Sequence, residues 1–241
     1  MMDGSGTKAG DGLDLTTALR ILHHAGRPDP TQLGGDPRQQ LQVLIDALCD
    51  LTIHDGLTGL VNASFFQAAL TREMDRSTRT GRTCSLLVLD VDHFKLINDE
   101  RGHLAGDYAL ESFARTLRQS MRVMDTAARI GGDEFAVILP ECTPEDAVHA
   151  ATRIHRALSP LNIAVGDAAL TITASAGLAW TDMRPVLRLA EFVSLADQEM
   201  YRAKQLGRNH LCHPAVAALE VSAVERAALF APRAKEEPDG R

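Results

Sequence analysis

Aromatic residues are scarce in this 241-residue chain, at 4%, with one Trp, two Tyr and seven Phe. Its core must therefore be built from Leu, Ile, Val and Ala. Basic excess is also missing. The formal net charge is -7, which argues against a protein that tracks a nucleic-acid backbone, since such a protein needs a basic face. No apolar run approaches the roughly 18 residues of a membrane span, and the first residues carry no signal-peptide core. The four cysteines, Cys49, Cys84, Cys142 and Cys212, form no C-x-x-C pair, so they read as free thiols of a reducing compartment. The nine histidines show no H-E-x-x-H spacing. A soluble, cytoplasmic protein is expected. Asn62-Ala-Ser64 matches a glycosylation sequon and is discounted without a secretion signal.

What is present centres on Arg129-Ile-Gly-Gly-Asp-Glu-Phe135. Apolar runs flank it, Thr126 to Ile130 before and Phe135 to Leu139 after. Two such runs joined by Gly-Gly predict a β-hairpin, because glycine reaches positive φ without a steric cost. Asp133 and Glu134 then sit at its tip beside bare backbone, which suits a metal and a phosphate chain. Taken alone, the turn favours a surface loop with solvated acids.

Upstream, residues 1 to 12 are Gly-rich and polar, and are expected to be disordered. Helical spacing predicts an amphipathic helix over Asp14 to His24. Gly26 to Gly35 reads as a linker, and Asp36-Pro37 as an N-cap and first helical residue. The next helix carries Leu41, Leu44, Leu48 and Leu51, either a short dimerising seam or a face packed on its own domain. Asp55 to Asn62 breaks it. A helix is predicted from about Ala63 to Thr78, ended by Gly81.

Ser85 to Leu89 is apolar on both faces, the mark of a central strand. It runs into Asp90-Val-Asp92, where positions i and i+2 share a face, so both carboxylates are able to point one way. A polar loop is predicted around Lys95, Asn98 and Asp99, then a helix from about Asp107 to Met121. Thr143 and Pro144 open another helix. A second hairpin is predicted from Ile163 to Val165 and Leu170 to Trp180, turning at Gly166-Asp167. A long helix from about Pro185 to Leu206 with Gly207 as C-cap follows, and a strand at Asn209 to Cys212 closes the domain. The fold class is α/β, a ferredoxin-like βαββαβ arrangement with a mostly antiparallel central sheet flanked by helices, plus an N-terminal helical segment.

If the strand of Asp90 pairs with the hairpin of Asp133, three or four carboxylates converge. Hard oxygen ligands of that kind suit Mg²⁺ or Mn²⁺ shared with substrate phosphates, and support phosphoryl or nucleotidyl transfer.

The same residues carry a family resemblance. Asp90-Val-Asp-His-Phe-Lys-Leu-Ile-Asn-Asp99, Gly102-His103, Gly106-Asp107 and Gly131-Gly-Asp-Glu-Phe135 closely resemble the GGDEF family of diguanylate cyclases. Asp55 to Asn62 is similar to its opening motif, though Ala63 and Ser64 stand where basic residues usually follow. Ala196 to Asn209 is similar to its closing motif. The resemblance spans about residues 50 to 213. It implies three parts: 1–50, a helical or linker segment able to dimerise or signal; 51–213, a diguanylate cyclase domain; and 214–241, a tail.

The resemblance implies condensation of two GTP into cyclic di-GMP and two pyrophosphates by a homodimer. It implies Asp90, the Val91 carbonyl, Asp133 and Glu134 as metal ligands for two Mg²⁺ or Mn²⁺ per half-site, with Glu134 alternatively a base. Backbone N–H groups of His93 and Phe94, with Lys95, are implied to hold phosphates, as are Lys204 and Arg208. Asn98 and Asp107 match the guanine readers. Read locally, Asp107 is also a helix N-cap, Asn98 a turn residue, and Lys204 with Arg208 a basic helix end. Arg122-Val-Met-Asp125 resembles an inhibitory R-x-x-D motif for cyclic di-GMP, with Arg153 as its second arginine. Asp92 is assigned no ligand role. A catalytically silent sensor of GTP or cyclic di-GMP, and another nucleotidyl transferase of the same fold, are the competing readings. Neither nucleic acid nor membrane insertion is expected.

Overall fold

The computed structural model describes residues 14–24, 26, 29, 36–165, 168–181 and 187–216. In chain order these form α1 (Thr16–His24), α2 (Pro37–Ile53), β1 (Val61–Asn62), α3 (Ala63–Thr80), β2 (Ser85–Val91), α4 (Phe94–Arg101) and α5 (His103–Gln119). Next come β3 (Thr126–Arg129), β4 (Glu134–Leu139), α6 (Pro144–Leu158), β5 (Leu161–Val165), β6 (Ala168–Ile172), β7 (Ala174–Trp180), α7 (Leu189–Gln205) and β8 (Leu211–Cys212).

One sheet of six strands, ordered β1-β3-β4-β2-β7-β8, organises the domain. Its four central strands are antiparallel, and the two outer pairs are parallel. Strand β2 has no solvent face. Leu87, Leu89 and Val91 enter a core with Phe113, Leu117, Phe135 and Ile154. Leu86 and Val88 enter a second core with Phe66, Leu70, Phe192 and Met200 on α3 and α7. Helices thus cover both faces of the sheet, which explains the unbroken apolar run of β2. Gly177 permits the closest of these approaches. A Cβ there would lie 2.1 Å from the Ala196 carbonyl oxygen and 2.2 Å from Met200 N, so α7 rests with its backbone directly on β7.

Several local signals act as expected. The Asp36 carboxylate accepts from Arg38 N with Pro37 opening α2. Thr143 Oγ1 accepts from Asp146 N at the start of α6. Gly81 closes α3 in the left-handed region at φ 69°. Other expectations are corrected. Helix α1 starts at Thr16, with Asp14 outside as its cap. The segment around Lys95, Asn98 and Asp99 is a helix, α4, with Ile97 as its one buried residue; at eight residues, Phe94 and Ile97 alone carry its helical spacing, too short a pattern to detect. Helix α5 begins at His103, so Asp107 lies within its first turns and is not an N-cap. The run Leu170 to Trp180 divides at Thr173: β6 pairs with β5 in a separate two-stranded sheet, whereas β7 joins the main one. Helix α7 begins at Leu189, where Arg188 N donates to Glu191 Oε2, and it ends at a Leu206 cap followed by Gly207 at φ 107°. The closing strand is Leu211–Cys212. The expected disorder of residues 1–12, most of the Gly26 to Gly35 linker, the Gly166-Asp167 turn, Pro185 and the tail beyond residue 216 lie outside the described residues.

Helix α1 lies against α2. Leu22 and Leu44 are their buried residues, at 0% and 2% exposure, whereas Leu41, Leu48 and Leu51 are only half-buried. Val43 and Ile45 are the exposed apolar residues of α2. All four cysteines are free, and burial pushes the Cys84 thiol up to about 12, which keeps it inert at neutral pH. Among the described residues no helix is long and apolar enough to cross a membrane.

Candidate active site

Asp90, the sixth residue of β2, stands directly across from Glu134, the first residue of β4. The hairpin tip is held onto this strand end. Val91 N donates to the Asp133 carbonyl at 3.1 Å, and Ile130 N and Gly131 N both donate to the Glu134 carbonyl. A Cβ at Gly131 would lie 2.5 Å from Glu134 Oε2 and 3.2 Å from Glu134 Cβ, so glycine gives the Glu134 side chain its present room.

A guanidinium that sequence reasoning left without a role fixes the tip from outside. Arg129 Nη2 and Nε donate to the Gly132 carbonyl at 2.7 and 3.2 Å, and Nη1 reaches Asp55 Oδ1 at 3.3 Å. The Asp55 carboxylate also accepts from Thr58 N and Thr58 Oγ1 at 2.9 and 2.6 Å. The turn Asp55 to Asn62 thus braces a hairpin 74 positions away. Only the position of Arg129 beside the Gly-Gly turn hinted at this.

The carboxylates are poised as a strained set. Burial holds Asp90 above the ordinary carboxylate range, and the charges of Asp133 and Asp92 add to it, while Lys204 opposes. Burial likewise raises Glu134, with the Asp90 and Asp133 charges reinforcing it. Lys204 Nζ lies 2.6 Å from Asp90 Oδ2 and supplies the counter-charge. Among the described residues, no three His, Cys, Asp or Glu side chains are gathered as a ready-made metal site. The donor set still fits a hard divalent cation. Two facing acids raised by burial and mutual repulsion are relieved by a cation, and magnesium commonly takes one or two carboxylates and completes its shell from phosphates and water.

Beside this pair, His93 at φ 57° turns the chain out of β2 and into α4. The first N–H groups of a helix have no intrahelical acceptor, and its N-terminal end is positive, so the start of α4 at Phe94 and Lys95 is an anion-favouring end. Lys95 and Arg208 are exposed, and Arg208 has φ 63° in the turn that follows α7. Asn98, on α4, packs against Gly106 of α5. A Cβ on Gly106 would lie 2.0 Å from Asn98 Oδ1, so glycine lets Asn98 sit against the residue adjoining Asp107. Asp107 itself is exposed. Asp92 does not share the surroundings of Asp90. It lies just beyond the end of β2, is 5% exposed, and is enclosed by hydrogen-bond donors.

The R-x-x-D residues gather at the opposite end of β3 from the tip. Arg122 N donates to Asp125 Oδ2 at 2.8 Å, so the link is main chain to side chain, not an ion pair between side chains. Asp125 Oδ1 is buried without a partner. Burial raises Asp125 above the ordinary range even though the Arg122 N–H and the charges of Arg122 and Arg153 oppose it. Arg153, on α6, donates from Nε to the Ser120 carbonyl at 3.4 Å. Val123 and Met124 between them are exposed.

A six-stranded sheet that presents Asp90 and Glu134 at a Gly-Gly hairpin, with Lys204 beside them, defines a GGDEF-type α/β domain. Residues 52–210 match the family model described as "Diguanylate cyclase, GGDEF domain", and the chain belongs to that family. It is 37% identical over 160 residues to the probable diguanylate cyclase DgcC of Escherichia coli (strain K12), covering 66% of this chain and 42% of that protein. It is 35% identical over 192 residues to the response regulator PleD of Caulobacter vibrioides, covering 75% of this chain and 42% of that one. The chain therefore spans less than half the length of these curated relatives. Among solved structures, it resembles the coiled coil and GGDEF domain of DgcB from Caulobacter crescentus, crystallised with c-di-GMP, at TM-score 0.68 and 28% identity over 73% of this chain and 93% of that one. It also resembles diguanylate cyclase SiaD from Pseudomonas aeruginosa, in complex with its activator SiaC, at TM-score 0.66 and 33% identity, covering 82% of this chain and 74% of that one.

Proposed function

We propose that this chain is a cytoplasmic, homodimeric diguanylate cyclase that joins two GTP molecules into cyclic di-GMP and releases two pyrophosphates. The observation that carries the reading is the Asp90–Glu134 pair facing across β2 and β4 at the Gly-Gly hairpin. The names of the relatives point the same way.

Asp90, the Val91 carbonyl, Asp133 and Glu134 would hold Mg²⁺ or Mn²⁺, two per half-site. The metal supplies charge neutralisation on the phosphates and on the attacking oxygen. Asn98 and Asp107 read guanine, since a carboxylate accepts from its N1–H and N2–H and adenine lacks that donor pair. The N–H groups of His93 and Phe94, with Lys95, Lys204 and Arg208, hold the triphosphate. Each chain then presents one GTP to the other. The 3′-oxygen forms a bond to the partner's α-phosphorus, the bond to the pyrophosphate oxygen breaks, and the hydroxyl proton passes to Glu134 where that carboxylate serves as base, its alternative role to ligating metal. Arg122, Asp125 and Arg153 form a separate site for the product, where arginines pair with guanine or phosphate and the Asp125 carboxylate accepts from guanine.

The test is incubation of the chain with GTP and Mg²⁺, with mass analysis of the products, for wild type and Asp133→Ala. Cyclic di-GMP from wild type and none from the variant is expected. No cyclic di-GMP from wild type overturns the activity, and normal synthesis by the variant overturns the site.

A further inference from the structure

Asp92 is enclosed more completely than any other carboxylate near the site. Its Oδ1 accepts from Ser175 Oγ at 2.6 Å, and its Oδ2 accepts from Thr173 Oγ1 at 2.7 Å and from Asn209 N at 3.0 Å. The last of these bonds spans 117 positions. It grips the chain immediately after Arg208, where Arg208 and Asn209 take consecutive left-handed conformations at φ 63° and 51°. Such residues are strained and persist only where their surroundings hold them.

The rest of the ring is closed. Ser159 Oγ donates to Asn209 Oδ1, and Ala174 N donates to the same Ser159 Oγ at 2.9 Å. Asp92 N donates to the Thr173 carbonyl at 2.9 Å. The loop from Asp92 through Asn209 and Ser159 to the start of β7 is thus knitted by hydrogen bonds that need no metal.

Two residues of one strand end therefore hold the same basic segment. Asp90 holds it by the ion pair to Lys204, and Asp92 holds it by the bond to Asn209. These ties differ in what substrate does to them. A cation and a triphosphate arriving at the site compete for both partners of the Asp90–Lys204 pair. Asp92 is sealed and its acceptors are already engaged, so its tie survives.

From this geometry we infer that Asp92 is a positioning residue for the triphosphate. It tethers the turn after α7 to the end of β2, so that Arg208 and Lys204 stay at the phosphates once Lys204 leaves Asp90. The role rests on the GTP reading above, and it adds to that reading a residue that touches neither nucleotide nor metal.

The experiment uses the full chain as wild type, Asp92→Asn and Ser175→Ala. Asp92→Asn keeps the shape but turns one acceptor into a donor that faces donors. Ser175→Ala removes one donor, leaves the carboxylate, and serves should the first variant fail to fold. Affinity is measured with Mg²⁺ for 3′-deoxy-GTP, which lacks the attacking hydroxyl, and for GMP, which lacks the β- and γ-phosphates. Amide exchange at Asn209 is followed in parallel. Asp92→Asn is expected to bind 3′-deoxy-GTP about tenfold more weakly with GMP binding unchanged. KM for GTP should rise while kcat at saturation stays near wild type, and the Asn209 amide should exchange faster. Ser175→Ala should move each readout in the same direction by a smaller factor.

A lower melting temperature with an unchanged ratio of the two affinities makes Asp92 merely structural and overturns the role. A loss of kcat and of Mg²⁺ affinity, again with that ratio unchanged, overturns it in favour of a metal-side residue. Wild type that binds neither nucleotide overturns the GTP reading and this role with it, while the Asn209 exchange still shows whether the tether itself exists.

Discussion

Lys204 Nζ sits 2.6 Å from Asp90 Oδ2, so a residue matched to triphosphate binding is engaged with a residue matched to metal binding. The lysine supplies the positive charge that Asp90 faces. On the proposed reading, metal binding exchanges one counter-charge of Asp90 for another.

The acids at the hairpin cost the fold stability. Glu134 is held above its ordinary range, so the folded chain takes up its proton at higher pH than the unfolded chain does. The penalty is absent in acid, where both states are protonated, and it grows as pH rises from about 4 toward neutrality. Glu134→Gln is therefore expected to raise the metal-free melting temperature at pH 7 while abolishing product formation. Thermal melts of both proteins across pH 4 to 8 should show the gain fading toward the acid end. An equal gain at every pH would assign it to a cause other than ionisation.

Guanine selectivity is expected to depend on Asp107. Because Asp107 lies inside α5, its replacement removes no helix cap. Asp107→Ser should lower the preference for GTP over ATP by at least about tenfold, since a site built on hydrogen bonds loses discrimination when one partner is missing. Competition kinetics test this, and an unchanged preference would place the base elsewhere.

Leu44 separates two roles of the N-terminal helices. It is buried within the chain, whereas Val43 and Ile45 are exposed on the same helix. Leu44→Glu should loosen α1 from α2 and lower stability by about 2–5 kcal/mol, as for other buried leucine losses. Val43→Glu with Ile45→Glu should leave the fold intact and shift the chain from dimer to monomer, with lower activity per chain. Light scattering that shows an unaltered, active dimer in the second variant would remove α2 from the interface.

Product inhibition should require Arg122. Initial rates with added cyclic di-GMP are expected to fall at micromolar product for wild type, and Arg122→Ala should need about tenfold more product or greater for the same inhibition. Equal sensitivity of the two proteins would make the Arg122–Asp125 turn a structural feature only.

Caps and the hairpin were legible because their causes are local. Asp36-Pro37, Thr143-Pro144 and Gly81 act within four residues of themselves, and the apolar run of β2 reports burial on two faces. The relatedness of Asp90 and Glu134 needed only the inference that their strands pair. Asp92 shows where this fails. Its position next to Asp90 suggested a common face, but its donors come from Thr173, Ser175 and Asn209, at separations of 81, 83 and 117 positions. Hydroxyl residues so distant leave no pattern that spacing can detect. Arg129 and Asp55 are hidden in the same way, and α4 spans only eight residues, too short for the spacing of Phe94 and Ile97 to stand out from a loop.

The alternation along β2 has a consequence for quality control of the folded chain. Odd and even positions of this strand serve opposite cores, and Asp90 meets Glu134 only when Leu86 meets Ile138 and Leu89 meets Phe135. A slip of one residue would exchange the two sets of apolar side chains and move Asp90 away from Glu134. Correct burial and the facing of Asp90 and Glu134 are thus one event.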